Sequence, residues 1–287
     1  MNRRTFVKLV GSAMVCGAGG LIYCSVEPYW LCRQQKQIRF KNMLLNQLRI
    51  LHVSDLHIGN RQQLEFAEKS LMDGLAQKPD LICITGDFIN WKLHDPRGFR
   101  ALFSKLAHCT PVFACLGNHD GGNWVANLGG YSDPGSVADV LSESGVIVLR
   151  NENTTLDIRG QTLTLIGLDD LWSGRMNVAA GFQGLTDQHI HPRIVLAHNP
   201  DMKTDLKNRS WDLMLSGHTH GGQVYIPGVG APVLPVKDRQ FTHGLYSWEN
   251  RQLHISSGVG TSCGVRFNCP PEICHLDVRG SANETGV

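Results

Sequence analysis

The sequence predicts an α/β fold in which two β-sheets face each other and helices cover their outer sides. In the first half, short apolar runs alternate with amphipathic segments, which is the pattern of strands followed by helices. The second half carries mainly strand-like runs, so a second sheet is needed to bury them. Polar side chains directly follow each of the first three strands, where open α/β sheets place their ligands.

The elements follow in order from these patterns. Predicted strands span Leu48–Val53, Leu81–Thr85 and Val112–Leu116, and predicted helices span Gln62–Ala76 and Phe99–Ala107. Further candidate strands are Val146–Leu149, Thr154–Ile158, Thr162–Gly167, Ile194–Ala197, Leu213–Ser216, Gln223–Ile226, Gly244–Trp248 and Leu253–Ser256. One domain over residues 48–279 is therefore expected, and the polar residues 280–287 are expected to form a flexible tail.

Composition excludes several classes of protein. The 287 residues are 42% hydrophobic and 18% charged, which is unlike a disordered chain, a coiled coil or a polytopic membrane protein. The net charge of +2 gives no nucleic-acid-binding signal, and nothing in the sequence indicates an oligomeric state. The nine cysteines contain no Cys-x-x-Cys pair. Cys83 and Cys115 lie in apolar runs and are expected in the core, whereas Cys263, Cys269 and Cys274 are close enough in sequence to pair in an oxidising compartment.

Residues 1–30 are predicted to be an export signal or a membrane anchor. Arg3 and Arg4 open a basic segment that is similar to a twin-arginine signal, and the uncharged run from Leu9 to Val26 is near the lower length limit for spanning a bilayer. A plain signal-anchor is the alternative. No Ala-x-Ala cleavage site lies between the uncharged run and Tyr29, and Tyr29 and Trp30 are residue types that are enriched at membrane interfaces. An uncleaved anchor is therefore favoured. Residues 31–47 are predicted to be a basic linker near anionic headgroups.

Five short motifs carry the chemistry. Each follows an apolar run, and together they supply Asp, Asn and His donors, which hold borderline divalent cations. Any one of them alone is an ordinary turn, but all five in this order indicate a single metal site. The motifs are Asp55-x-His57, Gly86-Asp87, Gly117-Asn118-His119-Asp120, Ala197-His198 and Gly217-His218-Thr219-His220.

This ordered set resembles the calcineurin-like metallophosphoesterases over about Leu48 to Asp277. The resemblance implies a four-layer αββα sandwich and two divalent metal ions. It assigns the first ion to Asp55, His57, Asp87 and His220, and the second to Asp87, Asn118, His198 and His218. The runs Ala197–Pro200 and Gly217–Gln223 are also similar to a bacterial branch of the family, which favours manganese, although the donor types suit iron or zinc equally.

The resemblance also implies a mechanism. Asp87 would bridge two cations roughly 3.5–4 Å apart, and the hydroxide formed from a shared water would attack phosphorus in a phosphodiester. His119 would donate a hydrogen bond or a proton to the phosphoryl group, and Asp120 would orient His119 or serve only as a turn residue.

Other residues give weaker signals. Trp124 and Asp169–Trp172 are expected near the mouth of the site, and the loop from Gly121 to Ser136 is a candidate lid. Arg266 and Asn268 are expected either to touch phosphate or to cap a turn. The remaining histidines, such as His52 and His254, match no ligand position and are expected to pack or to lie on the surface.

Three functions are compared. An envelope-associated phosphodiesterase fits the complete ligand set and the export-like start. The alternative is a lipid-linked pyrophosphatase acting on UDP-2,3-diacylglucosamine, an activity of related members, which requires the domain on the cytoplasmic face of the inner membrane. A non-catalytic metal-binding scaffold predicts missing ligands, whereas this sequence has all of them.

Overall fold

Two six-stranded sheets form the framework of the computed structural model, which describes residues 20, 22–41 and 47–281. The first sheet has the order β1-β12-β2-β3-β4-β5, with β1 (Cys32–Lys41), β12 (Glu272–Ser281), β2 (Leu48–Val53), β3 (Leu81–Thr85), β4 (Val112–Cys115) and β5 (Ile147–Val148). The second has the order β10-β11-β9-β8-β7-β6, with β10 (Gly244–Trp248), β11 (Arg251–Ile255), β9 (Leu213–Ser216), β8 (Arg193–Leu196), β7 (Gln161–Gly167) and β6 (Glu152–Ile158).

The centre of each sheet is parallel. Strands β2, β3, β4 and β5 run parallel in the first sheet, as do β7, β8, β9 and β11 in the second. The antiparallel partners are β12 beside β2, β6 beside β7 and β10 beside β11. The parallel strands end on the same edge of their sheet, and this edge carries the candidate site.

The helices are α1 (Arg61–Leu75), α2 (Pro96–Cys109), α3 (Asn123–Ala126), α4 (Gly135–Glu143) and α5 (Val178–Gly181). The two predicted helices are confirmed as α1 and α2. Each begins at a polar cap, because Asn60 accepts a hydrogen bond from the Gln63 amide and Asp95 accepts one from the Gly98 amide.

Three buried clusters hold the layers together. The first packs α1, α2 and α4 on one side of the first sheet, through residues such as Leu71 and Phe103. The second fills the space between the sheets, with Cys83, Leu165 and Leu215 in contact across it. The third covers the other side of the second sheet. The outer layer there consists of α5, a 3₁₀ helix at Pro200–Lys203 and loops rather than long helices.

A buried histidine pair lies where the two sheets meet. The Nδ1 atoms of His52 and His254 are 2.8 Å apart, and His52 Nε2 lies 2.9 Å from the Thr85 hydroxyl. Both imidazoles are almost completely buried, and burial lowers the pKa of His254 to about 3. The pair is therefore neutral, and it has a packing role, as the sequence indicated.

The predicted linker at residues 31–47 is wrong for most of its length, because Cys32–Lys41 forms β1 and pairs in parallel with β12. Ile38 and Phe40 are buried, whereas the side chains that alternate with them, those of residues 33, 35, 37 and 39, are exposed. Strand β12 extends to Ser281, past the predicted domain boundary at residue 279. The rest of the predicted tail, residues 282–287, lies outside the described residues.

The predicted strand Gln223–Ile226 is also wrong. This segment makes only isolated backbone bridges, from Val224 to Phe267 and from Ile226 to Gly230. Gln223 itself has a φ of 59°, so the extended conformation is interrupted where the strand was expected to begin.

Most of the predicted signal or anchor lies outside the described residues. Its described end packs on the domain: the Glu27 carboxylate is buried and accepts a hydrogen bond from the Cys269 amide at 2.9 Å, and the Tyr23 ring lies 5.6 Å from the Phe267 ring. Tyr29 and Trp30 are exposed, and their rings contact Phe66 and Tyr23 respectively. Among the helices that the structure describes, none combines the length and apolarity needed to cross a bilayer.

The described cysteines are all free thiols. Cys263, Cys269 and Cys274 are therefore not paired with one another, while Cys83 and Cys115 are buried as predicted.

Candidate metal centre and active site

The candidate ligands converge because their strands converge. Asp55 and His57 follow β2, Asp87 follows β3, Asn118 follows β4, His198 follows β8, and His218 and His220 follow β9. These strands belong to both sheets, so the site lies across the edge where the two sheets meet. All seven side chains are buried.

The first cluster contains Asp55, His57, Asp87 and His220, and its donor atoms lie within 4.8 Å of one another. The Nε2 atoms of His57 and His220 are 3.0 Å apart, and His220 Nε2 is 3.3 Å from Asp55 Oδ1. His57 Nε2 is 3.6 Å from Asp87 Oδ2. The grouping predicted for the first ion is therefore present in the fold.

The second cluster contains Asp87, His198 and His218. His198 Nε2 lies 3.2 Å from Asp87 Oδ2 and 3.3 Å from His218 Nδ1. Asp87 thus belongs to both clusters, which is the position expected of a bridging carboxylate. The nearby Asn118 Oδ1 is buried and has no hydrogen-bond partner among the described residues. An unpaired buried oxygen is costly, so this donor set fits a pair of divalent cations.

Three of the four imidazoles are oriented by an acceptor on their far side. His57 Nδ1 donates to Asn90 Oδ1 at 2.8 Å, His198 Nδ1 to the Thr85 carbonyl at 2.7 Å, and His218 Nε2 to the Pro235 carbonyl at 3.0 Å. In each ring the other nitrogen is directed at the cluster. Outer partners of this kind fix the tautomer of metal-binding histidines.

The backbone at the site is strained. Five of the candidate ligands have a left-handed φ between 47° and 68°, namely Asp55, His57, Asp87, His218 and His220. Such conformations cost of the order of 1 kcal/mol or more each and cluster at functional sites. The adjacent glycine of the Gly117-Asn118 motif is required for space, because a Cβ at Gly117 would lie 2.2 Å from Asp87 Oδ1.

The buried charges couple the ligand side chains to one another: burial opposes protonation of His198, but Asp87 and Asp55 raise the pKa of His198 well above its usual value, a shift that a bound cation would oppose. Burial lowers the pKa of His57 and of His218 to about 3, so both rings are neutral. Burial opposes ionisation of Asp87, but the neighbouring His198 and His119 hold the pKa of this carboxyl well below its usual value. Burial raises the pKa of Asp55 to about 6. A cation beside Asp55 would oppose that shift.

His119 faces the cavity, and its partner is not the one predicted. Its Nδ1 donates to the Asn90 carbonyl at 2.6 Å, whereas Asp120 accepts hydrogen bonds from the amides of Phe88 and Gly117, both at 2.8 Å. The prediction that Asp120 orients His119 is therefore wrong, because this carboxylate fixes the backbone of the two ligand-bearing loops. Asn90 was not identified from the sequence, since it lies in no motif.

Arg266 and Asn268 have structural partners. The Arg266 side chain is fully buried, and its Nη2 donates to the carbonyls of Ser257 and Gly258 at 2.8 and 3.0 Å. The same nitrogen lies 3.4 Å from His220 Nδ1. The Asn268 amide donates to the Tyr225 carbonyl at 3.3 Å. Arg266 therefore supports the loop behind a candidate ligand and does not reach the cavity.

A cavity of about 600 Å³ opens over the two clusters. Trp91, Trp124 and Trp172 line it, which confirms that Trp124 and Trp172 lie at the mouth and adds Trp91. Asp169 instead pairs with Arg150 at 2.9 Å, and Asp170 accepts a hydrogen bond from the Trp172 amide. The loop predicted as a lid contains α3, which carries Trp124. Closure of this loop stays a prediction.

Comparisons with known proteins agree with this geometry. Residues 48–222 match the family model of the calcineurin-like phosphoesterases. Phosphodiesterase YaeI of Escherichia coli (strain K12) is 34% identical over 97% of this chain and 99% of its own length. The uncharacterized metallophosphoesterase YkuE of Bacillus subtilis (strain 168) is 30% identical over 95% of this chain and 96% of its own. UDP-2,3-diacylglucosamine pyrophosphatase LpxG of Chlamydia trachomatis is 27% identical over 80% of this chain and 83% of its own.

The family model covers more than half of the chain, and it includes every motif that supplies the two clusters. The protein is accordingly a metal-dependent phosphoric ester hydrolase that belongs to the calcineurin-like phosphoesterase family.

Proposed function

We propose that this protein hydrolyses phosphodiester bonds with two divalent metal ions bound side by side. The observation that carries the proposal is the pair of donor clusters that share Asp87 at the floor of a cavity, with His119 beside them. The relative YaeI is named a phosphodiesterase and matches nearly the whole chain, which supports a diester rather than a monoester.

The ligand assignment follows from the distances. Asp55, His57, Asp87 and His220 would hold the first ion, and Asp87, Asn118, His198 and His218 the second. The donors are oxygen and imidazole nitrogen without thiolate, which suits manganese, iron or zinc, and we propose manganese. When bound, such a pair of ions polarises the phosphoryl oxygens and lowers the pKa of a coordinated water.

The residues around the clusters position the substrate and move a proton. His119 Nδ1 donates to the Asn90 carbonyl, so Nε2 is the atom left to face the phosphoryl group. In its protonated form, His119 donates from Nε2 to the oxygen that leaves phosphorus, a role that contributes typically 10²–10⁴-fold to the rate. The His119 amide also donates to Asp87 Oδ1 at 2.8 Å, which couples this loop to the shared carboxylate.

The test combines metal removal with two substitutions. The purified chain would be stripped with a chelator and reloaded with Mn²⁺, Zn²⁺ or Fe²⁺, and its turnover of bis(4-nitrophenyl) phosphate compared with that of 4-nitrophenyl phosphate. We expect two ions per chain and faster hydrolysis of the diester. Asp87→Asn should lose both metal binding and turnover, whereas His119→Ala should keep its ions but lose at least about 10²-fold in rate. Undiminished turnover in both variants would contradict the assignment.

The location of the enzyme is a separate part of the proposal. The basic, then uncharged, N-terminus supports export or anchoring in the cell envelope, with a cell-surface or membrane diester as substrate. A reporter fused after Val287 that signals only outside the cytoplasm tests this. An inward C-terminus would favour the alternative function, hydrolysis of UDP-2,3-diacylglucosamine, which is the substrate in the name of the relative LpxG.

A further inference from the structure

The cavity over the metal clusters has two unlike walls. One wall is aromatic and continuous with the site: the rings of Trp124 and Trp172 are 5.6 Å apart, the Trp124 ring is 4.9 Å from His119, and the Trp172 ring is 4.6 Å from His218. Trp91 extends this wall, 5.1 Å from His119. The aromatic surface therefore begins where the phosphoryl group must sit and leads away from it.

The rest of the lining, which forms the second wall, is mainly aliphatic and includes the polar Gln223 and Ser262. Val224, Pro232, Val233 and Pro235 line it, and they come from the segment that follows the last metal-ligand motif. The Val233 side chain is 75% exposed although it points into a cavity beside a reaction site. Apolar side chains held in this way at the rim of a cavity are typical of a surface that a ligand covers.

The cavity lacks charge beyond the metal clusters. Apart from Asp87 and the histidines of the site, the described side chains that line it include no Lys, Arg, Asp or Glu. The buried cation Arg266 lies 3.4 Å from His220 Nδ1, but it is held by backbone carbonyls and does not line the cavity. A second phosphate or another anionic group on the substrate would find no cationic side chain in the described lining, which favours an uncharged group beyond the reacting phosphorus.

The wall geometry selects among uncharged groups. A nucleobase is held best in a slot between parallel aromatic faces. The Trp124 and Trp172 planes are inclined at 48°. Trp91 and Trp124 are nearly parallel, at 21°, but their ring centroids are only 6.3 Å apart, so the two rings contact each other and leave no slot for a base between them. An aliphatic chain needs only apolar contact on both sides. We propose that the cavity is the binding subsite for an aliphatic, lipid-type group esterified to the reacting phosphate. This inference rests on the proposed phosphodiesterase function.

The experiment compares diesters that share one leaving group. The full chain with Mn²⁺ would be assayed on 4-nitrophenyl methyl phosphate, 4-nitrophenyl octyl phosphate below its micelle concentration, and the 4-nitrophenyl ester of thymidine 5′-phosphate. We expect kcat/KM to be at least about tenfold higher for the octyl than for the methyl diester, since a single buried methylene can give tenfold discrimination. Equal values for the two, or a preference for the thymidine diester, would overturn the proposal.

Two exposed valines of one loop provide a matched pair. Val233 lines the cavity, whereas Val229 is 72% exposed and lies in a neighbouring groove. Val233→Asp should lower the octyl-to-methyl ratio by about tenfold, Val233→Leu should retain it, and Val229→Asp should leave it unchanged. A ratio that falls equally in Val233→Asp and Val229→Asp would refute the assigned wall. Failure of the wild-type chain to hydrolyse any of the three diesters would instead count against the proposed function.

Discussion

The contact between Asn90 and His57 allows the affinity for one proposed metal ion to be lowered without substituting a candidate ligand. Asn90 Oδ1 accepts the His57 Nδ1 proton at 2.8 Å, and His57 belongs only to the first cluster. Asn90→Ala removes this acceptor but keeps the backbone carbonyl of residue 90, which holds His119. The variant therefore separates orientation of the ligand from orientation of His119.

The size of the effect follows from two independent considerations. The His57 side chain is buried, so an unpaired ring N–H costs about 1–3 kcal/mol. Loss of an outer partner of a metal-binding histidine typically lowers metal affinity about 10–100-fold, which is about 1.4–2.7 kcal/mol. The two ranges agree, so we expect one ion to bind 10–100-fold more weakly and the other to bind as before.

Metal titration by calorimetry, with turnover measured at each metal concentration, gives the readout. Asn90→Asp retains an acceptor and should recover most of the lost affinity. Asn153→Ala is the matched control, because the Asn153 side chain likewise makes a partly buried hydrogen bond, to the Gly181 carbonyl, but lies outside the site. The reasoning is refuted if Asn90→Ala binds both ions with wild-type affinity, or if Asn153→Ala weakens one ion equally.

Three more outcomes are expected. Burial lowers the pKa of His254 to about 3 in the folded protein, whereas the same imidazole in the unfolded chain has a pKa near 6.5. Between these pH values the unfolded chain binds more protons, so the free energy of unfolding should fall as the pH falls. The change for this residue is at most about 1.4 kcal/mol per pH unit. Urea unfolding at several pH values should show a shallower slope of the free energy of unfolding against pH in His254→Leu than in the wild-type chain. Gly117→Ala should lose metal content and turnover because its Cβ would collide with Asp87, whereas Gly135→Ala, where the nearest atom is 3.4 Å away, should retain both. Chelation should lower the Tm, since ions that bind only the folded state stabilise it by about 2.7 kcal/mol at 100 times Kd.

The positions of the candidate ligands could be predicted from the sequence because the cause of their convergence is local. A buried parallel strand that ends in Asp or His places that side chain at the edge of the sheet, and all parallel strands share this edge. The rule found Asp55, Asp87 and His198 from single runs of apolar residues. The order of the strands in the sheet is not needed for this prediction, because every parallel strand ends at the same edge.

What the sequence did not predict depends on contacts between distant segments. Asn90 and Pro235 orient ligands through loops that carry no motif, so nothing marks them locally. Strand β1 has basic and polar residues on its exposed face, and its pairing with β12 is not visible in its own composition. At Gln223–Ile226 the sequence predicted a strand that the structure lacks. These residues suit a strand, but among the described residues they make only isolated bridges, so no ladder forms.

The position of β1 also determines when the domain can be complete. This strand lies at the edge of the first sheet, and its ladder partner is β12, with Cys32 opposite Glu272 and Lys41 opposite Ser281. A chain that grows from its N-terminus cannot pair β1 until β12 has left the ribosome. Contacts over such separations are slow to form. Closure of the first sheet therefore waits for the segment that forms β12, and loss of β12 would leave β1 without its ladder partner.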